Sequence, residues 1–255
     1  MAAEPARFVL TIACNDRRGI VAAVANSIAS QDCNIVESAQ YGDPETERFF
    51  MRVSFSAPVS VTSDTFRSGF GPVALGFGFD WKLSDLAVKP RVLILVSKFG
   101  HCLNDLLFRW KSGLLPIDIR AIISNHKDFY QLAASYNVPF HHLPVQVDTK
   151  ERVEARQYEI IQNEGAELVV LARYMQILSN ELCHKLAGRA INIHHSFLPS
   201  FKGAKPYRQA HDRGVKLIGA TAHYVTADLD EGPIIEQDVT RVEHSKTVED
   251  LTAMG

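Results

Sequence analysis

No apolar run in this chain approaches the ~18 residues that mark a membrane-spanning helix; the longest, such as Val92 to Val96, are short. Charge of one sign is not in excess either: 27 Lys and Arg face 29 Asp and Glu, for a net charge of −2. That balance excludes a strongly basic nucleic-acid binder and an acidic tail protein. Cysteine is scarce, with Cys14, Cys33, Cys102 and Cys183 far apart and no Cys-x-x-Cys pair. Structural zinc asks for paired ligands at short spacing, and a chain of 255 residues needs no disulfide staples, so reduced, buried thiols are expected. Internal repeats, low-complexity segments, His-Glu-x-x-His, a Walker loop and Gly-x-Ser-x-Gly are all missing. The first residues carry Glu4 and Arg7 before an alternating stretch, which does not read as a signal peptide. A cytoplasmic protein without membrane or nucleic-acid partners is the expectation.

What is there is apolar residues in quantity. At 46% hydrophobic the chain can bury a core and is not disordered. Residues 1–86 read as a small α+β unit. Phe8 to Ala13 is β-rich, Asn15 to Gly19 is a turn, and Ile20, Val21, Val24 and Ile28 mark one helical face. Asn34 to Tyr41 and Arg48 to Phe55 make two strands around Gly42-Asp43-Pro44. A helix over 61–78 is weakened by its glycines and Pro72, and a strand over Phe79 to Leu83 follows. The order is β-α-β-β-α-β, of the ferredoxin-like kind. Residues 87–255 change style. Solid apolar runs at Arg91 to Val96, Ile117 to Ile123, Ala166 to Ala172 and Ala190 to Ile193 alternate with helical stretches at 103–111, 129–136 and 151–163. Such alternation predicts a doubly wound, mostly parallel sheet.

Two patterns are decoys. Gly69-Phe-Gly71-Pro-Val-Ala74 fits a loose dinucleotide fingerprint, but a helix precedes it and Pro72 sits inside it. The pairs His141-His142 and His194-His195 would point to opposite faces of a strand, so neither chelates a metal, and no metal is expected. The informative segment is Ala190-Ile-Asn-Ile-His-His-Ser-Phe-Leu-Pro199. On a strand Asn192 and His194 share one face, at the carboxyl end where open α/β sheets bind ligands. An amide donor beside an imidazole suits a carbonyl that becomes an oxyanion. The acidic loop Thr226 to Glu231, running into Gly232-Pro-Ile-Ile235, offers a carboxylate to orient the histidine. Spacing alone leaves Asp228 and Asp230 open.

INIHHSFLP, DLDEGPII and the segment LARYMQILS at 171–179 resemble the formyl-transfer domain that uses 10-formyltetrahydrofolate. The resemblance implies Asn192, His194 and Asp230 as the catalytic set. It also implies Met175, Gln176, Ile177 and Leu178 as the wall of a folate pocket, meeting the loop at Asp228. Residues 7–83, with the Asp16-Arg-Arg-Gly-Ile-Val21 turn, resemble an ACT domain, a small module that often binds amino acids. ACT followed by this formyl domain is similar to the formyltetrahydrofolate deformylase family. That similarity implies a hydrolase releasing formate for purine synthesis and balancing the one-carbon pool, with folate as substrate and no cofactor. A small amino-acid effector would sit at Asn15, Asp16 and Gly19, its carboxylate on the N–H groups that open the first helix, and an exposed sheet edge would build a homo-oligomer. Transformylases of this family carry a Gly- and Ser-rich phosphate loop after the first strand. Here Ser97 to Leu103 has one glycine and bulky neighbours, which favours water over an amine acceptor. The end, Thr247 to Gly255, looks like a helix cut short, so a missing C-terminal piece is expected. The alternatives are a formyltransferase acting on an amino nucleotide or aminoacyl-tRNA, and a non-catalytic amino-acid sensor.

Overall fold

The structure, a computed structural model, describes residues 5–200 and 206–254; Glu4 and Gly255 lie outside them. The chain divides into two compact units, Met1–Lys89 and Pro90–Gly255, against an expected boundary at 86/87.

The first unit runs β1 (Ala6–Asn15), α1 (Ile20–Ala29), β2 (Asn34–Asp43), β3 (Arg48–Ala57), α2 (Ser63–Phe77), β4 (Asp80–Asp85). Its antiparallel sheet has the order β2-β3-β1-β4. Alternation sets the layers. Phe8, Leu10 and Ile12 of β1 and Met51, Val53 and Phe55 of β3 face one core with Val24, Ile28, Phe66 and Phe70 of the helices. The helix α2 forms despite its glycines because Phe66, Phe70 and Ala74 recur at four-residue spacing on the buried face. Thr62 and Thr65 close a reciprocal capping box at its start, satisfying two otherwise orphaned donors. The Gly69-x-Gly71 pattern therefore lies inside a helix and cradles nothing. The turn between β2 and β3 falls later than expected, since Gly42 and Asp43 still pair with Phe49 and Arg48.

The second unit continues β5 (Arg91–Val96), α3 (His101–Lys111), β6 (Asp118–Ser124), α4 (Tyr130–Ser135), β7 (Phe140–His142), α5 (Lys150–Asn163) and β8 (Leu168–Leu171). Then follow α6 (Asn180–Lys185), β9 (Ala190–His194), α7 (Pro206–Asp212), β10 (Leu217–Tyr224), β11 (Ile234–Arg241) and α8 (Val248–Met254). The seven-stranded sheet has the order β11-β10-β9-β8-β5-β6-β7. It is parallel from β9 to β7, while β10 and β11 are antiparallel additions at the other edge. The apolar run of β5 splits cleanly. Leu93 and Leu95 enter one core with Ile160, Val169 and Leu182; Val92, Ile94 and Val96 enter the other with Leu103, Leu107 and Ala133. Helices thus cover both faces, as a doubly wound sheet requires. Chain order reverses between β5 and β8, and ligands bind at the carboxyl ends beside such a switch point.

Candidate active site

The site begins at the carboxyl ends of β8 and β9. His194 ends β9 and is buried, with its Nδ1 3.4 Å from Oδ1 of Asp230, a carboxylate that is itself only 8% exposed. Asp230 sits in the β10–β11 connection with φ 57°, a left-handed backbone that Asp tolerates better than most residues. Gly232 lets that connection close: a Cβ there would overlap the Tyr224 carbonyl, beside the bond from Tyr224 N–H to the Pro233 carbonyl. Asp228, the other carboxylate left open by spacing, is exposed, and its backbone carbonyl accepts from Thr226. Burial and distance choose Asp230.

Asn192 stands opposite His223 across the β9–β10 ladder, and its Nδ2 lies 3.2 Å from His223 Nε2. The proton placement follows from the second ring nitrogen. His223 Nδ1 is 2.9 Å from the Tyr224 carbonyl, which can only accept, so Nδ1 carries the hydrogen of the neutral ring. Nε2 is then an acceptor, and Asn192 turns its amide nitrogen toward it. An amide nitrogen has two N–H donors, and the second has no partner among the described residues. It is available to a ligand oxygen. His223 Nε2 also lies 3.8 Å from Asp230 Oδ1, too far for a hydrogen bond.

His223 is the residue that sequence reading missed. It sits where the β10–β11 register shifts, a bulge of the sort that re-aims side chains beside active sites. A signal exists only in hindsight of the strand: Thr221 and His223 share one face of β10 and both are buried. Thr221 Oγ1 donates to the Ser196 carbonyl and accepts from Leu198 N–H, holding the loop that leaves β9.

The segment after β8 forms the opposite wall and is held by buried polar groups. Ser97 Oγ accepts from Met175 N–H at 2.9 Å, buried Glu154 accepts from Ser179 N–H at 2.9 Å, and Gln157 donates to the Tyr174 hydroxyl at 2.6 Å. Burial pushes the Tyr174 hydroxyl up to about 12, so it stays protonated. A cavity of ≈ 230 Å³ lies between the walls. Met175, Gln176, Ile177, Leu178, Asn192, His194, Asp228 and Asp230 all line it, so the structure gathers every expected catalytic and folate-wall residue on one cavity. They differ in kind: Met175 and Ile177 are exposed apolar surface, whereas Leu178 is 7% exposed and packs in the core with Leu171 and Leu182.

His195 and Arg173 are among the further lining residues that sequence reading did not assign. His195 is pushed down to about 4, first by burial and then by the Arg173 guanidinium and His194, so its ring is neutral near pH 7. Arg173 has a left-handed backbone, φ 62°. The expected effector residues lie in the first unit. Asn15 ends β1, Asp16 N–H donates to the Glu47 carbonyl, and Gly19 is the N-cap of α1 with no side-chain capping bond, so Asp16 does not cap that helix. Among the described residues no cluster of three or more His, Cys, Asp or Glu is arranged for a metal ion, and no helix is long and apolar enough to cross a membrane.

A mostly parallel sheet carries Asn192, His194 and Asp230 around a cavity at the carboxyl ends of β8 and β9, and the formyl transferase family matches residues 90–254. Similarity extends beyond that domain. The formyltetrahydrofolate deformylase of Corynebacterium sp. (strain P-1) is 53% identical over 99% of this chain and 88% of its own length. The crystal structure of the Burkholderia mallei formyltetrahydrofolate deformylase superposes with a TM-score of 0.91 at 55% identity, covering 98% of this chain and 89% of that one. A glycinamide ribonucleotide transformylase from Symbiobacterium toebii is more distant, with a TM-score of 0.61, 34% identity, and coverage of 65% of this chain and 80% of its own. The chain belongs to the formyltetrahydrofolate deformylase family.

Proposed function

We propose that this chain hydrolyses 10-formyltetrahydrofolate to formate and tetrahydrofolate. The observation that carries the reading is the unpartnered N–H of Asn192 beside His194 and Asp230, on a cavity whose far wall is apolar. Water attacks the formyl carbon; a C–O bond forms and the C–N10 bond breaks. The oxyanion is held by Asn192 N–H and a protonated His194. Asp230 fixes the His194 ring and positions the water. N10 is weakly basic and takes a proton from His194 or a water it polarises as it leaves. These groups supply the charge stabilisation themselves, so dialysis against a chelator is expected to leave the rate unchanged.

Water, rather than an amine, is favoured by the loop after β5. Its one glycine, Gly100, lies against the Phe129 ring, which a Cβ at that position would overlap. The glycine serves this packing and leaves no run of bare backbone to cradle a phosphate. Incubation with 10-formyltetrahydrofolate and no acceptor should release formate stoichiometrically with tetrahydrofolate. Formyl transfer to an added amine without formate release would identify a transferase instead, and neither product would identify a non-catalytic sensor.

The first unit supports a regulatory reading as an ACT-like module. Its strand order and two helices on one face fit that module, and the turn Asn15 to Gly19 offers the N–H groups opening α1 to a carboxylate, with Asp16 for an ammonium. The edge strand β2 is exposed along nearly its whole length and favours pairing with a second copy. Hydrolysing a one-carbon donor is wasteful unless gated, and the formate released would feed purine synthesis. Titration with the common amino acids should shift the rate or the melting temperature; no shift with any of them would leave the unit a structural one.

A further inference from the structure

A second cavity, ≈ 410 Å³, meets the catalytic one at Arg173 and His195, which line both. Its other walls include Phe99, His101, Tyr207 and Arg208, and its described lining contains no carboxylate. Three of its polar atoms have no partner: Arg173 Nε and Nη1 and the Tyr207 hydroxyl are buried and hydrogen-bond to nothing among the described residues. Buried guanidinium donors without an acceptor are costly, and the oxygens of an anion placed between them would satisfy them.

The backbone holds Arg173 at this place deliberately. Its φ of 62° is uncommon for a non-glycine residue. It is pinned there by Ser97, whose N–H donates to the Arg173 carbonyl while its hydroxyl accepts from Met175 N–H. The guanidinium then lies over the Phe99 ring at 5.4 Å to the centroid, and its charge depresses the protonation of both His101 and His195 after burial does. Near neutral pH the cavity thus presents the half-buried cation Arg173, the exposed Arg208, which also faces Asp212 at 4.0 Å, and two imidazoles biased toward the neutral form.

We propose that this cavity binds a small carboxylate, the formate released at the adjoining centre, with Arg173 Nε and Nη1 and the Tyr207 hydroxyl donating to its oxygens. The assignment of formate rests on the hydrolase reading above; the carboxylate site itself rests on the idle donors. Guanidinium and carboxylate match in a two-bond fork, and the anion passes the shared residues Arg173 and His195 on leaving the catalytic cavity. Formate has three heavy atoms, so the volume also admits its hydration.

The test is titration of the folate-free protein with sodium formate at constant ionic strength, read by melting temperature and by the NMR titration of His195, with chloride and phosphate as parallel arms. Saturable binding is expected for formate, and the His195 proton affinity should rise when the anion is present, because a nearby negative charge favours the imidazolium. Arg173→Met should weaken binding at least ~10-fold and Arg173→Lys less, since a lysine keeps the charge and loses the fork. Tyr207→Phe, which keeps the packing, should weaken it by about 3–10-fold, the size of one hydrogen bond. Formate that fails to bind a protein which does release formate overturns the site and spares the hydrolase reading. Binding without hydrolysis overturns the hydrolase reading and spares the carboxylate site. Phosphate or chloride binding more tightly than formate, or equal binding to Arg173→Met in a folded protein, overturns the carboxylate assignment.

Discussion

Replacing His223 by phenylalanine tests the arrangement of the site in a way that replacing a reacting group does not. The ring shape is kept, while the Nε2 acceptor 3.2 Å from Asn192 and the Nδ1 donor to the Tyr224 carbonyl are both removed. The Asn192 amide then loses the one bond that fixes which way it faces. A neutral hydrogen bond is worth about 0.5–1.5 kcal/mol net, and if that energy holds the amide for the transition state, kcat falls by roughly 2–13-fold. Removing Asn192 itself forfeits the oxyanion donor, about 10²–10³ in kcat. KM should stay within a factor of about two, since His223, though it lines the cavity, is 2% exposed and its ring is replaced by one of similar shape. The assay is formate release by single and double variants, His223→Phe and Asn192→Ala, with melting curves to certify folding. If His223 acts through Asn192, its replacement does nothing further once Asn192 is alanine, and the double-mutant cycle shows coupling near the full single effect. Equal losses from His223→Phe in both backgrounds would refute the positioning argument, and an unchanged kcat in the single variant would refute it at once.

Asp230→Asn should lower kcat by about 10²–10³, while exposed Asp228→Asn changes it less than about threefold; the reverse order, measured by formate release, would exchange their roles. Ile177→Glu should raise KM for the folate through the loss of about 1–3 kcal/mol of apolar contact, leaving the melting temperature nearly unchanged. Leu178→Ala should do the opposite, destabilising by about 2–5 kcal/mol because that side chain is in the core. His195 gives a pH signature. Its folded value near 4 lies below the 6.5 of an unperturbed histidine, so the unfolded chain takes up a proton that the folded chain refuses. Stability is untouched by this group above about pH 6.5 and is lost as the pH falls from there toward about 4. Urea midpoints across that window should slope less for His195→Asn, and an identical slope would show that the ring is already charged in the folded protein.

The parallel strands were legible because a strand covered on both faces has no choice but to be apolar throughout; Arg91–Val96 is the plain instance. The helix α2 was harder, since Gly69, Gly71 and Pro72 speak against it locally, and its formation is decided by phenylalanines that matter only once a sheet lies beneath them. The strand β10 was not legible at all. Gly219, Ala220 and Ala222 carry little strand signal, and the strand exists through its two antiparallel neighbours. In the site, Asn192 and His194 could be paired from spacing, because two residues apart on a strand means one face. His223 is 31 residues from Asn192 and reaches it by strand pairing. In the structure the choice of Asp230 over Asp228 turns on burial and on the 3.4 Å approach to His194, which a left-handed backbone and the close turn at Gly232 make possible and which spacing does not reveal.

The two antiparallel strands at the sheet's edge carry an operational weakness. Asp230 and His223 ride on β10 and its connection to β11, and β11 is an outermost strand exposed along most of its length. Edge segments with few buried contacts open at lower free energy than the molecule as a whole. Fraying there separates Asp230 from His194 while the parallel strands beneath remain intact. The catalyst would then be switched off by a partial loosening too small for circular dichroism to register, so that loss of turnover is a more sensitive thermometer of this protein than loss of its fold.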